Sequence, residues 1–240
     1  MVALPAGPIP GPLAALAGTA EATSAAVLYR GELVSRRRAG RAEHALHLLP
    51  LLDELLAELA LPRTALEAVA FGRGPGPFTG GRIVVASAQG LGLGLDVPLI
   101  PVSSLAAAAW SAGGERCAAA LDAGRGEVYW GMYRRTPEGV ALAGEEQVAA
   151  PEGLVLAPGF AADGPWLGAG SGWQTMGEGL AARLGVALAG TVPEAAGEAD
   201  AVAALAVAPW RAGDTLTPAQ AVPTYLRASY AEKPAGAPSP

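Results

Sequence analysis

Between Ala42 and Ala60 the apolar residues Ala45, Leu48, Leu49, Leu52, Leu55, Leu56 and Leu59 recur at three- and four-residue intervals, which predicts one helix that Pro62 ends. Leu51 widens the stripe, so this helix has apolar side chains for a core and for a partner. Upstream, Ala25–Tyr29 and Leu33–Arg36 read as two short strands about the turn Arg30-Gly31-Glu32. Downstream, Thr64 to Glu67 has the spacing of a capping box for one short turn. The strand Ala68–Phe71 then feeds a Gly/Pro loop, Gly72 to Arg82, and a small-residue helix over about 79–95. Val97–Val102 is a buried-type strand, and Ser103 or Ser104 caps an alanine-rich helix ending near Trp110. Arg116–Asp122 and Glu127–Arg135 pair around Ala123-Gly124-Arg125-Gly126. Residues 136–190 read as irregular, and Glu198–Ala212 as a helix with Ala203, Leu205, Ala206 and Val207 on its apolar side. Strands alternating with helices predict an α/β fold. Residues 1–12 read as a loose extension and 231–240 as a flexible tail; no internal repeat is visible.

Composition narrows the function classes. The 240 residues are 51% apolar and only 16% charged, which excludes charge-driven disorder. The net charge of −6 argues against an autonomous nucleic-acid binder. Of the 16 basic residues only Lys233 is lysine, a bias that, with the excess of Ala, Gly and Pro, reflects GC-rich codons. Arg36-Arg37-Arg38 reads as a solvated strand end rather than a binding patch. The lone Cys117 excludes an intrachain disulfide and reads as a small buried hydrophobe, in keeping with a reducing, cytoplasmic compartment. No run is long and apolar enough to span a membrane.

The candidate chemistry is sparse. Gly76-x4-Gly81 is followed by Arg82 and Ile83, so the lysine and the hydroxyl of a phosphate-binding P-loop are missing; a tight turn with close helix packing competes with phosphate binding. His44 and His47 are three apart and lack a convincing third ligand, so they read as polar residues at a solvent or interface edge rather than a metal site. Asp122, Arg125 and Glu127 read as a salt bridge or turn cap, and Gly168 to Trp173 as a flexible turn whose tryptophan anchors a core edge.

The segment Phe71-Gly-Arg-Gly-Pro-Gly-Pro-Phe-Thr-Gly-Gly-Arg-Ile83 resembles the glycine loop of the bacterial TsaB (YeaZ) family. Glu43-His44 with Leu48-Leu49-Pro50, Ala88-Gln-Gly-Leu91, Val102-Ser-Ser-Leu105, Leu121-Asp-Ala-Gly-Arg-Gly-Glu-Val-Tyr129 and Pro223-Thr-Tyr-Leu-Arg227 are similar to further family segments, in order, over about residues 13–230. The chain departs from the family at Ala17 and Gly18, where an Asp-Thr pair ends the first strand, and at Pro77, where the loop has serine.

The resemblance implies an actin-like, ribonuclease-H-like fold of two related lobes: 13–105, with the helix at 198–212 packing back on it, and 106–197. It implies a non-catalytic subunit for threonylcarbamoyl modification of the adenosine next to the tRNA anticodon. Such a subunit pairs with and activates a TsaD-type paralogue, joined by a TsaE-type ATPase; tRNA is met only through the complex, and a homodimer forms in isolation. The interface it implies comprises His44, His47, Leu48, Leu51, Leu52, Leu55, Thr79, Gly80, Arg82, Ile83, Ala86 and Gly90. Gly74, Gly76, Thr79 and Gly80 would lie near a nucleotide, with ATP or ADP at the complex interface and none held stably by the chain alone. A metallopeptidase or nucleotide-dependent transferase acting alone is the alternative, and a direct tRNA-binding module a third.

Overall fold

The computed structural model describes residues 4, 8–40 and 44–227. The expected helix start at 42–43 and the expected tail at 231–240 lie outside the described residues.

Five strands build the first sheet: β1 (Leu13–Gly18), β2 (Ala22–Tyr29), β3 (Glu32–Ala39), β4 (Ala68–Gly72) and β5 (Leu99–Val102), in the order β3-β2-β1-β4-β5. The first three are antiparallel neighbours, and β4 and β5 run parallel to β1. The second sheet repeats that plan with β6 (Arg116–Gly124), β7 (Glu127–Thr136), β8 (Gly139–Ala149), β9 (Trp166–Ala169) and β10 (Leu188–Val192), in the order β10-β9-β6-β7-β8. The fold is therefore α/β with two related, mixed five-stranded lobes, although no repeat shows in the sequence. The helices are α1 (His44–Glu58), α2 (Phe78–Leu95), α3 (Ser104–Ala112), α4 (Gly172–Leu184) and α5 (Ala199–Ala212).

Both faces of each sheet are covered, and alternate residues of one strand serve different cores. On β1, Ala14 and Leu16 pack with Leu48, Leu52 and Leu55 of α1 and Val84 and Ala88 of α2. Leu13, Ala15 and Ala17 face the opposite way, onto α5. There alanine meets alanine: Ala15, Ala26, Ala68 and Ala70 of the sheet lie under Ala199, Ala203 and Ala206. Small side chains let the helix axis come close to the sheet, so burial there depends on tight backbone approach. In the second lobe α4 covers one face, with Leu180 and Leu184 against Trp130 and Trp166, and α3 covers the other through Leu105 and Ala109. Each lobe's sheet thus carries the last helix of the other lobe: α3 follows β5 yet packs on the second sheet, and α5 follows β10 yet packs on the first.

Three expectations change. The strand β1 enters the sequence reading only through the family resemblance and not through its hydrophobic pattern, because it is central and buried on both faces; Leu-Ala-Ala-Leu-Ala-Gly shows no alternation. Residues 136–190 hold β8, β9, α4 and β10 rather than irregular chain. In place of a capping box at Thr64, a 3-10 turn spans Arg63–Ala65 with no side-chain cap. Ser103 does cap α3, accepting from the Leu105 and Ala106 amides. The described part of the extension is packed: Leu4 and Ile9 lie on the α5 core, and Arg211 Nε donates to the Pro8 carbonyl. The arginine run lies on the exposed edge strand β3, where Arg36 meets Glu54 and Glu58, and Arg37 meets Glu198.

Candidate functional site

The two lobes face each other across a cleft. The β1–β2 turn (Gly18 to Glu21) and the glycine loop (Pro75 to Pro77) form one wall; Leu121, Asp122, Ser171 and the segment 193–197 form the other. It encloses a cavity of about 70 Å³. Glu21, Asp122 and Glu194 all line it, a set of carboxylates that opposes a phosphate chain. The β1 end that carries Asp-Thr in the family is here Ala17, buried against α5, and Gly18 at the cleft. Asp122 is a turn cap, its Oδ1 accepting from the Gly124 amide at 2.7 Å, and Glu127 pairs with Arg227.

The first two residues after β4 are tied into the fold by three backbone hydrogen bonds. Arg73 N–H donates to the Val102 carbonyl, the Gly74 carbonyl accepts from Ser104 N–H, and the Arg73 carbonyl accepts from Thr224 N–H, at 2.8–2.9 Å. Gly74 is buried at φ +91°, which L side chains rarely adopt, and a Cβ there would stand a tight 3.2 Å from the Thr224 carbonyl oxygen. Gly76 lines the cleft.

His44 is not the edge residue that the spacing suggests. It is 3% exposed, with Nδ1 2.5 Å from Thr23 Oγ1. A Cβ on Gly80 would come within 3.1 Å of its Nε2, so Gly80 is small because the ring lies against it. Burial holds the imidazole pKa below its ordinary value and keeps the ring neutral. His47 is half-buried on the next turn. Among the described residues no group of three or more His, Cys, Asp or Glu is placed to hold a metal ion.

The interface set divides by burial. Leu48, Leu51, Leu52 and Leu55 are 0–4% exposed in the first-lobe core, and with His44 and Gly80 they offer no surface to a partner. The α1 stripe is spent on its own sheet, Leu51 included. Thr79, Arg82, Ala86 and Gly90 do reach solvent, and Ile83 is half-buried beside them. On α1 and α2 the large exposed apolar side chains that the sequence reading passed over are Leu46 (68% exposed) and Phe78 and Leu93 (38% and 79%). Their signal is the excess of apolar residues over what one core-facing stripe needs.

A buried polar cluster also escaped the sequence reading. Glu146 of β8 accepts from Tyr133 OH at 2.5 Å and from the Ser103 hydroxyl, joining the α3 cap to the second sheet. Burial and the neighbouring carboxylate push the Tyr133 pKa far up, so the phenol stays protonated and donating. Gly168 to Trp173 is a close-packed turn, not a flexible one: a Cβ at Gly168 would lie 2.6 Å from the Trp173 ring, whose Nε1 donates to the Ala118 carbonyl at 2.8 Å.

A family model described as "TsaD: tRNA N6-adenosine threonylcarbamoyltransferase" matches residues 37–205. The chain is 34% identical over 222 residues to the tRNA threonylcarbamoyladenosine biosynthesis protein TsaB of Escherichia coli (strain K12), covering 89% of this chain and 93% of that protein. The chain belongs to the TsaB (YeaZ) family. A second TsaB-family member, from Haemophilus influenzae, is 43% identical over 127 residues, 51% of this chain and 54% of that protein. YeaZ from Pseudomonas aeruginosa superposes with a TM-score of 0.81 at 37% identity, covering 90% of this chain and 100% of the other. A second structure, titled as an uncharacterized protein similar to peptidase YeaZ from that organism, gives 0.83 at 39% identity, again covering 90% and 100%. The TsaD match makes the chain a homologue of the transferase, and TsaB is a threonylcarbamoyladenosine biosynthesis protein. No helix among the described residues is long and apolar enough to cross a membrane.

Proposed function

We propose that this chain is the non-catalytic partner subunit of a cytoplasmic tRNA threonylcarbamoyl transfer assembly, pairing with and activating a TsaD-type transferase. The near full-length relationship to TsaB carries the reading. The exposed apolar side chains of the first lobe support it. Leu46 on α1 and Phe78, Ile83, Ala86 and Leu93 on α2 give a surface that loses little by leaving water and that a second helical face can cover. In this reading a homodimer uses a related face in isolation, a TsaE-type ATPase joins the heterodimer, and tRNA is reached only through the assembly. ATP or ADP is then held where subunits meet. The acidic lining of the cleft fits a chain that binds no nucleotide stably by itself.

The test is threonylcarbamoyl transfer to tRNA by the cognate TsaC-, TsaD- and TsaE-type proteins, with and without this chain. Modification that requires the chain, while the chain alone transfers nothing, is the expected result. Equal modification in its absence overturns the activating role, and turnover by the isolated chain overturns the non-catalytic one. Ala86→Glu, at an exposed position of the α2 surface, is expected to abolish both TsaD pairing and stimulation while leaving thermal unfolding unchanged.

A further inference from the structure

Two covalent crossings join the lobes, at 102–104 and at 192–199, and both lead into the exchanged helices α3 and α5. The last described residues form a third crossing. Ala221 is fully buried, and its carbonyl accepts from Gln89 Nε2 of α2 at 2.9 Å. Thr224 N–H donates to the Arg73 carbonyl at 2.8 Å, holding the segment against the glycine loop. Tyr225 sits on the first lobe: its hydroxyl accepts from Arg82 Nε at 2.8 Å, its ring lies 5.7 Å from that of Phe78, and the Arg82 guanidinium stacks 3.7 Å over Phe78. The next two residues belong to the second lobe. Leu226 packs against the buried cluster that includes Cys117, Ala119 and Tyr129 of the second sheet, and Arg227 donates to Glu127 Oε2 and to the Ala123 carbonyl. Ala123 and Glu127 flank the β6–β7 turn, and the adjoining Leu121 and Asp122 line the cleft.

We propose that residues 221–227 are an interlobe latch, with Tyr225 on Arg82 as the first-lobe anchor and Arg227 on Glu127 as the second, and that this latch sets the opening of the cleft. The anchors differ in kind. Arg82 is exposed, and it holds Tyr225 by one side-chain hydrogen bond while its guanidinium stacks on Phe78. The Arg227 side chain is only 16% exposed beside Glu127 at 34%, so its pair is partly shielded from solvent. A hinged two-lobed body tied at one further point keeps one angle, and loss of the tie frees rotation about the crossings. Arg227 and Tyr225 are positioning residues in this account. The device stands on this chain's own contacts and is independent of the tRNA reading.

The test is the spin-label distance between Thr64→Cys in the first lobe and Glu178→Cys in the second, measured on the full chain, where buried Cys117 stays unlabelled. A control pair, Glu32→Cys with Thr64→Cys, lies within the first lobe. Arg227→Met and Glu127→Gln are each expected to lengthen and at least double the width of the interlobe distribution, leaving the control pair unchanged. Tyr225→Ala should do the same, and the combination of Arg227→Met with Tyr225→Ala should add little to either. Interlobe distributions that superpose on the parent's in all three single variants overturn the latch. Broadening of the control pair in step with the interlobe pair also overturns it, because the segment would then merely support lobe packing. Glu127→Gln, nearly isosteric, serves if Arg227→Met fails to fold.

Discussion

Gly170 lies between β9 and α4 in a conformation that only glycine adopts readily, at φ +101°. A Cβ there would stand 2.5 Å from the Ala120 carbonyl oxygen and 3.0 Å from Leu121 Cδ2. Retreat is blocked on both sides of the residue, since its N–H donates to the Val192 carbonyl and its carbonyl accepts from Trp173 N–H, each at 3.0 Å. The φ strain of Gly170→Ala costs about 1–3 kcal/mol, and overlap with fixed main chain adds about 1–3 kcal/mol. The sum of about 2–6 kcal/mol is a large share of the ~5–15 kcal/mol that holds a native domain. With a urea slope of about 3 kcal/mol/M, the unfolding midpoint falls by about 0.7–2 M. Gly94→Ala is the matched control: Gly94 sits in α2 with nothing within 4 Å of its Cβ position, so alanine there gains up to about 1 kcal/mol of helix propensity. Urea unfolding followed by circular dichroism reads both. A Gly170→Ala midpoint equal to the parent's would refute the claim that the β6 carbonyl fixes this turn.

Leu52→Ala should cost about 2–5 kcal/mol in the same assay, because the side chain is fully buried between α1 and the first sheet; a loss below 1 kcal/mol would place it outside the core. Thr23→Val removes the hydroxyl partner of His44 and should cost about 1–3 kcal/mol by leaving the buried Nδ1 unmatched. His44 has a folded pKa below its unfolded one, so above the ordinary value of about 6.5 the ring is neutral in both states and adds no pH dependence. As pH falls below that value the unfolded chain takes up the proton first, and stability declines until the lowered folded pKa is reached; His44→Gln should flatten this part of a stability–pH curve, and an unaltered slope would count against the assignment. Burial raises the Cys117 thiol pKa, so Ellman's reagent should label it only in urea, and stoichiometric labelling of the native chain would contradict its placement.

Helix positions with strong periodicity or explicit punctuation were legible in the sequence: the α1 leucines, the Ser103 cap and the β6–β7 turn. What hid β1 was burial on both faces, which leaves no alternation to read. The 136–190 region was hidden by glycines, which score as loop yet serve contact: Gly168 yields to Trp173, and Gly172 to Ala120 and Val128. The site was less legible than the fold. Periodicity identified the apolar stripe of α1 but divided it between a core and a partner, whereas Leu48, Leu51, Leu52 and Leu55 all go to the first-lobe core. His44 looked like a surface residue because its matching hydroxyl, Thr23, lies 21 positions away. Tyr225 and Arg227 stood in a recognisable motif, but their contacts, Arg82 and Glu127, lie 143 and 100 residues upstream. Glu146 is one acidic residue among several in an unstructured-looking stretch, and only the fold brings it to Ser103.

The crossed placement of α3 and α5 bears on how such a chain can be divided. A fragment that stops after α3 would leave the first sheet bare where α5 belongs and would present α3 with no second sheet to cover. The remaining fragment would have the complementary deficit. Each half is therefore finished only by the other, and a polypeptide carrying just one copy of the five-strand plan would satisfy its own helix by lending it to a twin. The single chain holds, in covalently closed form, the arrangement of a strand-and-helix unit that is stable only in exchange with its like.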